Sequence, residues 1–150
     1  IDEQGDPYVV EFNVRFGDPE CQVTLPLIKS DVGELLYSAA TDTLNQTTWT
    51  FRNLHSLTVV LASEGYPQSA IKGRSIQGAE HALDTPEAWV SHAGTTVDES
   101  GMLVSSGGRV LSVTSVAQSL QEARELSYHR IQQISLEGSH HRTDIGHRAL

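Results

Sequence analysis

From Leu57 onward the chain alternates short apolar runs with glycine-containing turns, and that rhythm limits the folds open to it. Leu57 to Ala62 is a nearly continuous apolar run, the pattern of a buried strand. Gly65-Tyr66-Pro67 ends it, and Gly73 and Gly78 bracket a second short strand. Ala88 to Ala93 and Gly101 to Val104 read as further strands. Ser106-Gly107-Gly108 reads as a hairpin turn leading into a strand from Val110 to Val116. The period then changes. Ser119-Leu120-Gln121-Glu122 is a capping box, in which the serine and glutamate satisfy free amides at a helix start. It opens a helix through about Ile134, with Leu120, Ala123, Ser127, Ile131 and Ile134 on its buried side. Short turn-linked strands with one long helix predict the α+β class, with a small barrel-like sheet.

The first third has a different character. Gln4-Gly5-Asp6-Pro7 reads as a turn and Tyr8 to Phe16 as a strand. Cys21 to Ile28 reads as a short apolar connector broken by Pro26. Asp31 and Glu34 stand at capping-box spacing, predicting a helix from Ser30 or Asp31 to near Asn45. Its stripe of Val32, Leu35, Leu36, Ala39, Thr43 and Leu44 reads as core packing. The threonine-rich stretch Gln46 to Asn53, with Trp49 and Phe51 alternating, reads as a linker strand. A boundary near Leu54 divides the chain into 1–53 and 54–150.

Glu11-Phe12-Asn13-Val14-Arg15-Phe16-Gly17-Asp18-Pro19-Glu20 carries the densest chemistry. In an extended strand Glu11, Asn13 and Arg15 share one face, about 6–7 Å apart, while Phe12, Val14 and Phe16 share the other. The apolar face reads as core. The polar face lines up a carboxylate, an amide oxygen and a guanidinium, hard donors beside a fixed cation that suit a magnesium-bound phosphate and a neighbouring anion. A solvated edge strand would show the same three polar residues. The continuation Gly17-Asp18-Pro19 forces a turn and returns Asp18 and Glu20 towards the same region, which a merely solvated strand does not need.

The rest of the sequence excludes more than it adds. A formal charge of −9 and the lack of a basic patch argue against nucleic acid, and no apolar run is long enough to span a bilayer. The polar, acidic start carries no signal-peptide pattern, and a single cysteine, Cys21, fits a reducing, cytoplasmic setting. His140, His141 and His147 form a candidate metal cluster, but no histidine or cysteine pair has structural-zinc spacing. No Gly-x-Ser-x-Gly elbow and no phosphate-binding glycine loop followed by lysine is present. With only two lysines, Lys29 and Lys72, the chain lacks the cations that would hold a nucleoside triphosphate. It reads as a piece of a longer protein.

The 11–20 segment, with Leu25-Pro26-Leu27 and Lys29-Ser30-Asp31 after it, resembles the phosphoribosylamine–glycine ligases, also called glycinamide ribonucleotide synthetases. The resemblance continues in order through Val60 to Pro67, His92-Ala93-Gly94-Thr95, Ser106 to Leu111 and Asp144 to Leu150. Two departures occur: Ser139-His140-His141 stands where aromatic residues would precede Arg142, and His147 where tryptophan is common. The resemblance implies an ATP-grasp ligase of de novo purine synthesis, with residues 1–53 ending the grasp domain and 54–150 forming a C-terminal domain. It implies glycine, 5-phosphoribosylamine and ATP as substrates, and the remaining domains of the same enzyme as partners. Glu11 and Asn13 would be Mg2+ or Mn2+ ligands, Arg15 the catalytic cation, and Gly17, Asp18, Pro19 and Glu20 the substrate loop. Two other readings stand beside it: a different ATP-grasp ligase or carboxylase subunit sharing the Glu-x-Asn-x-Arg strand, and a non-catalytic β-rich interaction module.

Overall fold

A computed structural model describes residue 1, residues 3–80 and residues 84–150. Its centre is a three-stranded antiparallel sheet in the order β1 (His55–Ala62), β6 (Arg109–Ala117), β3 (Ala88–His92). Between these in sequence lie β2 (Ile76–Gln77), β4 (Thr95–Val97) and β5 (Leu103–Ser105); β7 (Ser135–Leu136) follows the long helix. β4 pairs with β5 and β2 with β7, each antiparallel. Among the described residues the strands therefore form one central sheet and two small ribbons, where the sequence predicts a single barrel-like sheet.

Register follows from side-chain alternation. Val59 lies opposite Val113, which lies opposite Val90, and Leu61 lies opposite Leu111. These residues share one face with Leu57, and α3 (Leu120–Ile131) packs on it through Ala123 and Ile131. Val59 and Val113 are completely buried, and removing such a side chain from water contributes about 1.5–3 kcal/mol. Hydroxyls stitch helix to sheet. Ser127 Oγ lies 2.7 Å from Ser115 Oγ and donates to Leu57 O at 3.1 Å, while Ser115 Oγ also meets Ala123 O. On the opposite face the buried Thr58 and Thr114 hydroxyls bond each other.

The N-cap bond of each expected capping box forms, while the glutamate's return bond reaches the residue before the cap in one helix, Gln118 N, and is not made to Asp31 N in the other. Glu122 N donates to Ser119 Oγ at 3.2 Å, and Glu122 Oε2 accepts from Gln118 N at 3.3 Å. α3 ends at Ile131, three residues early, because the chain turns into β7. Asp31 caps α2 (Val32–Ala40), accepting from Glu34 N at 3.0 Å. α2 stops before Asn45, and only Leu35 and Ser38 of it are buried, so the expected stripe is largely exposed. The connector contains α1 (Glu20–Thr24) and a 3-10 turn, Leu25–Leu27, both lying against the central sheet. The linker strand reduces to one bridge, Ile28 to Phe51.

Residues 8–16, whose alternation predicts a strand, form none. A strand needs a neighbour for its amides and carbonyls, and no described residue pairs with this segment. The face expected as core is bare, with Phe12 82% and Val14 95% exposed.

Candidate functional site

Two local devices shape the loop after residue 16. Cys21 N donates to Gly17 O at 3.0 Å, closing the turn that starts α1. A side chain at position 17 would place its Cβ 2.2 Å from Glu20 Oε2, so glycine there leaves room for Glu20 to fold back. Glu11, Asn13, Arg15, Gly17, Asp18 and Glu20 all line one cavity of about 760 Å³. Pro19 faces elsewhere, into an adjoining cavity of about 360 Å³ with Val23, Leu57, Leu120 and Ile145.

Within the first cavity Asn13 Nδ2 donates to Glu11 Oε1 at 3.1 Å, so the two candidate ligands already meet. Arg15 Nη1 donates to Phe16 O at 3.1 Å, which leaves other donors of the fork for the cavity. Among the described residues no group of three His, Cys, Asp or Glu side chains gathers to hold a metal. A carboxylate and an amide carbonyl do suit Mg2+ or Mn2+ when phosphates and waters complete the shell, as Mg2+ ordinarily requires. They do not suit a closed, all-protein site.

One wall residue was not foreseen. Arg109, at the start of β6, completes the cavity with two bonds to Asp18: Nη1 donates to its carbonyl at 2.8 Å, and Nη2 lies 3.0 Å from Oδ2. The sequence signal was the Gly107-Gly108-Arg109 turn, but its partner is 91 positions away. The cavity thus presents three carboxylates (Glu11, Asp18, Glu20) and two guanidiniums (Arg15, Arg109), an arrangement fit to orient an anion beside a cation.

The histidine-rich tail is held differently. His140 exchanges backbone hydrogen bonds with Ala62, and the His141 ring lies 6.0 Å from that of Tyr128. His147 sits in a 3-10 turn, His147–Ala149. Arg124 and Tyr128 of α3 bind the tail backbone at Thr143, Ile145 and Arg142. Ile145, Gly146 and Ala149 thereby reach the back of the Pro19–Glu20 loop.

Residues 56–148 match the family model described as phosphoribosylglycinamide synthetase, C domain. The chain belongs to that family. The phosphoribosylglycinamide synthetase C domain therefore comprises the central sheet, α3 and most of the tail, Arg109 included. Similarity to curated proteins extends further. A phosphoribosylamine–glycine ligase of Caulobacter vibrioides is 47% identical over 145 residues, covering 96% of this chain and 34% of that protein. The chloroplastic phosphoribosylamine–glycine ligase of Arabidopsis thaliana is 44% identical over 149 residues, covering 99% of this chain and 28% of that protein. The crystal structure of phosphoribosylamine–glycine ligase from Thermotoga maritima matches with a TM-score of 0.71 at 32% identity, covering 93% of this chain and 34% of that one. The synthetase C domain and the segment before it thus span about a third of the length of these relatives. The 11–20 segment precedes the family match but lies within the stretch shared with the Arabidopsis protein.

Proposed function

We propose that this chain serves a phosphoribosylamine–glycine ligase, an ATP-grasp enzyme of purine synthesis that joins glycine to 5-phosphoribosylamine. One observation carries the reading: relatives bearing that name match nearly the whole chain, including the 11–20 segment whose polar side chains line one cavity. On this reading residues 1–53 close the ATP-grasp domain and 54–150 form the C-terminal domain. The remaining domains of the enzyme supply the groups that grip ATP.

In the proposed reaction a glycine carboxylate oxygen attacks the γ-phosphorus of ATP. The bond to ADP breaks, giving ADP and glycyl phosphate. The ribosylamine nitrogen then attacks the acyl carbon; a C–N bond forms, the C–O bond to phosphate breaks, and phosphate and a proton leave. Arg15 steadies the transferring phosphoryl or the glycine carboxylate with charge-assisted hydrogen bonds. Glu11 and Asn13 would hold Mg2+ or Mn2+. That ion, when bound, neutralises charge on the phosphates. Gly17 to Glu20 shape the substrate wall. Among the described residues no helix is long and apolar enough to cross a membrane, and the free Cys21 accords with a reducing compartment such as the cytoplasm.

The test is a chimera in which this chain replaces the matching third of the Caulobacter relative. The chimera should form ADP and glycinamide ribonucleotide only when glycine and 5-phosphoribosylamine are both present, and the 150-residue chain alone should form neither. A folded chimera that accepts other amines or carboxylates in their place would overturn the substrate assignment.

A further inference from the structure

We propose that Arg109 is a positioning residue: a guanidinium clamp, delivered by the C domain, that fixes the Gly17–Glu20 loop as one wall of the cavity. The proposal rests on the ligase reading of that cavity for its catalytic consequence, though not for its geometry.

The clamp grips one residue at two points. Arg109 Nη1 donates to the Asp18 carbonyl at 2.8 Å and Nη2 reaches Asp18 Oδ2 at 3.0 Å. The other carboxylate oxygen, Oδ1, accepts from Gln22 Nε2 at 2.8 Å. Both oxygens of Asp18 are therefore engaged within the protein. Asp18 sets the shape of the loop, and the role of oxygen donor in the cavity falls to Glu11, Asn13 and Glu20.

The two ends of the clamp differ in rigidity. Arg109 leaves a turn whose backbone is held from two sides: Ser63 N donates to Gly108 O at 2.8 Å and Ser63 Oγ to Gly107 O at 2.9 Å, while Gly94 N donates to Arg109 O at 2.9 Å. The approach of Gly94 is so close that a Cβ there would lie 2.7 Å from both Arg109 O and Gly107 Cα. The other end, Asp18, is half-buried just before α1, and the segment leading into it, residues 11–16, is exposed and belongs to no sheet. Order is thus transmitted from the turn to the loop. Lysine lacks the rigid planar fork that holds both acceptors in one fixed geometry. With the two side chains 43% and 41% exposed, the pair adds little to global stability, so its removal should change loop geometry and substrate handling.

Two measurements test this. In the 150-residue chain, Arg109→Met should speed hydrogen exchange of the Cys21 amide, which bonds Gly17 O, on the order of tenfold, leaving the central sheet unchanged. Unchanged exchange at Cys21 would overturn the clamp. In the chimera, Arg109→Met should raise the KM for 5-phosphoribosylamine or glycine, lower kcat/KM on the order of 10–100-fold, and leave the KM for ATP and the melting temperature in place. Arg109→Lys should recover part of the loss, and Asp18→Asn should cost less when added to Arg109→Met than it costs alone. Additive losses would show that Arg109 does not act through Asp18. An inactive parent chimera whose Cys21 amide still responds to Arg109→Met would remove the ligase reading and leave the clamp standing.

Discussion

Arg130 of α3 meets Asp84 at 3.1 Å in the interior, with the two side chains only 4% and 13% exposed. The same guanidinium donates to Gly78 O at 2.8 Å, and Asp84 Oδ1 also accepts from Val90 N at 3.2 Å. One ion pair thus ties the helix to the turn after β2 and to β3. Among the described residues Arg130 Nε is buried without a partner, and the other acceptors of the guanidinium, Gly78 O, Gln133 Oε1 and Glu80 O, are neutral, so losing Asp84 takes away the carboxylate that balances its charge. Asp84→Ala should cost about 3–5 kcal/mol, the range for stranding a buried charge. Arg130→Met removes the charge along with its desolvation cost and should be milder. Urea unfolding of the two variants tests the order, and the reverse order would show that the pair is not the helix anchor.

The close approach at Gly94 gives a second prediction. A methyl group there meets backbone atoms, which cannot swing aside as a flexible side chain would. Gly94→Ala should therefore destabilise by about 1–3 kcal/mol, the range for overpacking. An unchanged urea midpoint would mean that the turn carrying Arg109 is softer than its hydrogen bonds indicate.

The bare segment predicts the opposite. Phe12 and Val14 are almost fully exposed, so Phe12→Ser and Val14→Thr should each change the stability of the 150-residue chain by less than about 0.5 kcal/mol. A larger loss in unfolding experiments would show that residues 8–16 pack against this chain in solution.

These contrasts explain what could be read from the sequence. Ser119 with Glu122, and Asp31 with Glu34, are local devices whose partners lie three residues apart, and the N-cap bond of each forms as expected. Leu57 to Ala62 and Val110 to Val116 carry enough apolar residues to mark buried strands unaided. Residues 8–16 have the alternation of a strand, but alternation states only which faces would form and cannot supply a pairing neighbour. β4 and β7, at three and two residues, exist because Leu103–Ser105 and Ile76–Gln77 lie beside them, and that is tertiary information. The cavity was legible along residues 11–20, where its groups are contiguous. Arg109 was not, because only the folded sheet brings it to Asp18.

Two surface aspartates predict a pH dependence. The Asp98 carboxylate accepts from Ser100 Oγ at 2.7 Å, Met102 N at 2.9 Å and Ser100 N at 2.9 Å, and these bonds, the Ser100 hydroxyl first, hold its pKa below the usual value. Asp144 is lowered in the same way by its paired bonds from Arg142 at 2.8 and 2.7 Å. A folded pKa below the unfolded one contributes stability that is present above about pH 3.9 and lost as the pH falls through the folded value. Carboxyl carbon NMR titrations should give both midpoints below that of an unstructured aspartate. Asp98→Asn should flatten the acid side of the stability profile. Ordinary midpoints would show that the turn bonds do not persist in solution.

The last prediction separates metal binding from mere polarity at Glu11. Its carboxylate already touches the Asn13 amide, and the pair offers two of the hard oxygen donors that Mg2+ or Mn2+ takes alongside phosphates and water. Glu11→Gln keeps the size and one acceptor oxygen for the Asn13 amide but removes the charge. In the chimera it should lower kcat on the order of 10²–10³-fold, the scale for removing one preorganised group that stabilises charge in a transition state. It should also raise the Mg2+ concentration needed for half-maximal turnover, which a purely structural defect would not do. Chelation with EDTA should stop turnover in the parent chimera, and added Mg2+ or Mn2+ should restore it. Near-normal turnover of Glu11→Gln with an unchanged Mg2+ requirement would remove Glu11 from the proposed ligand set.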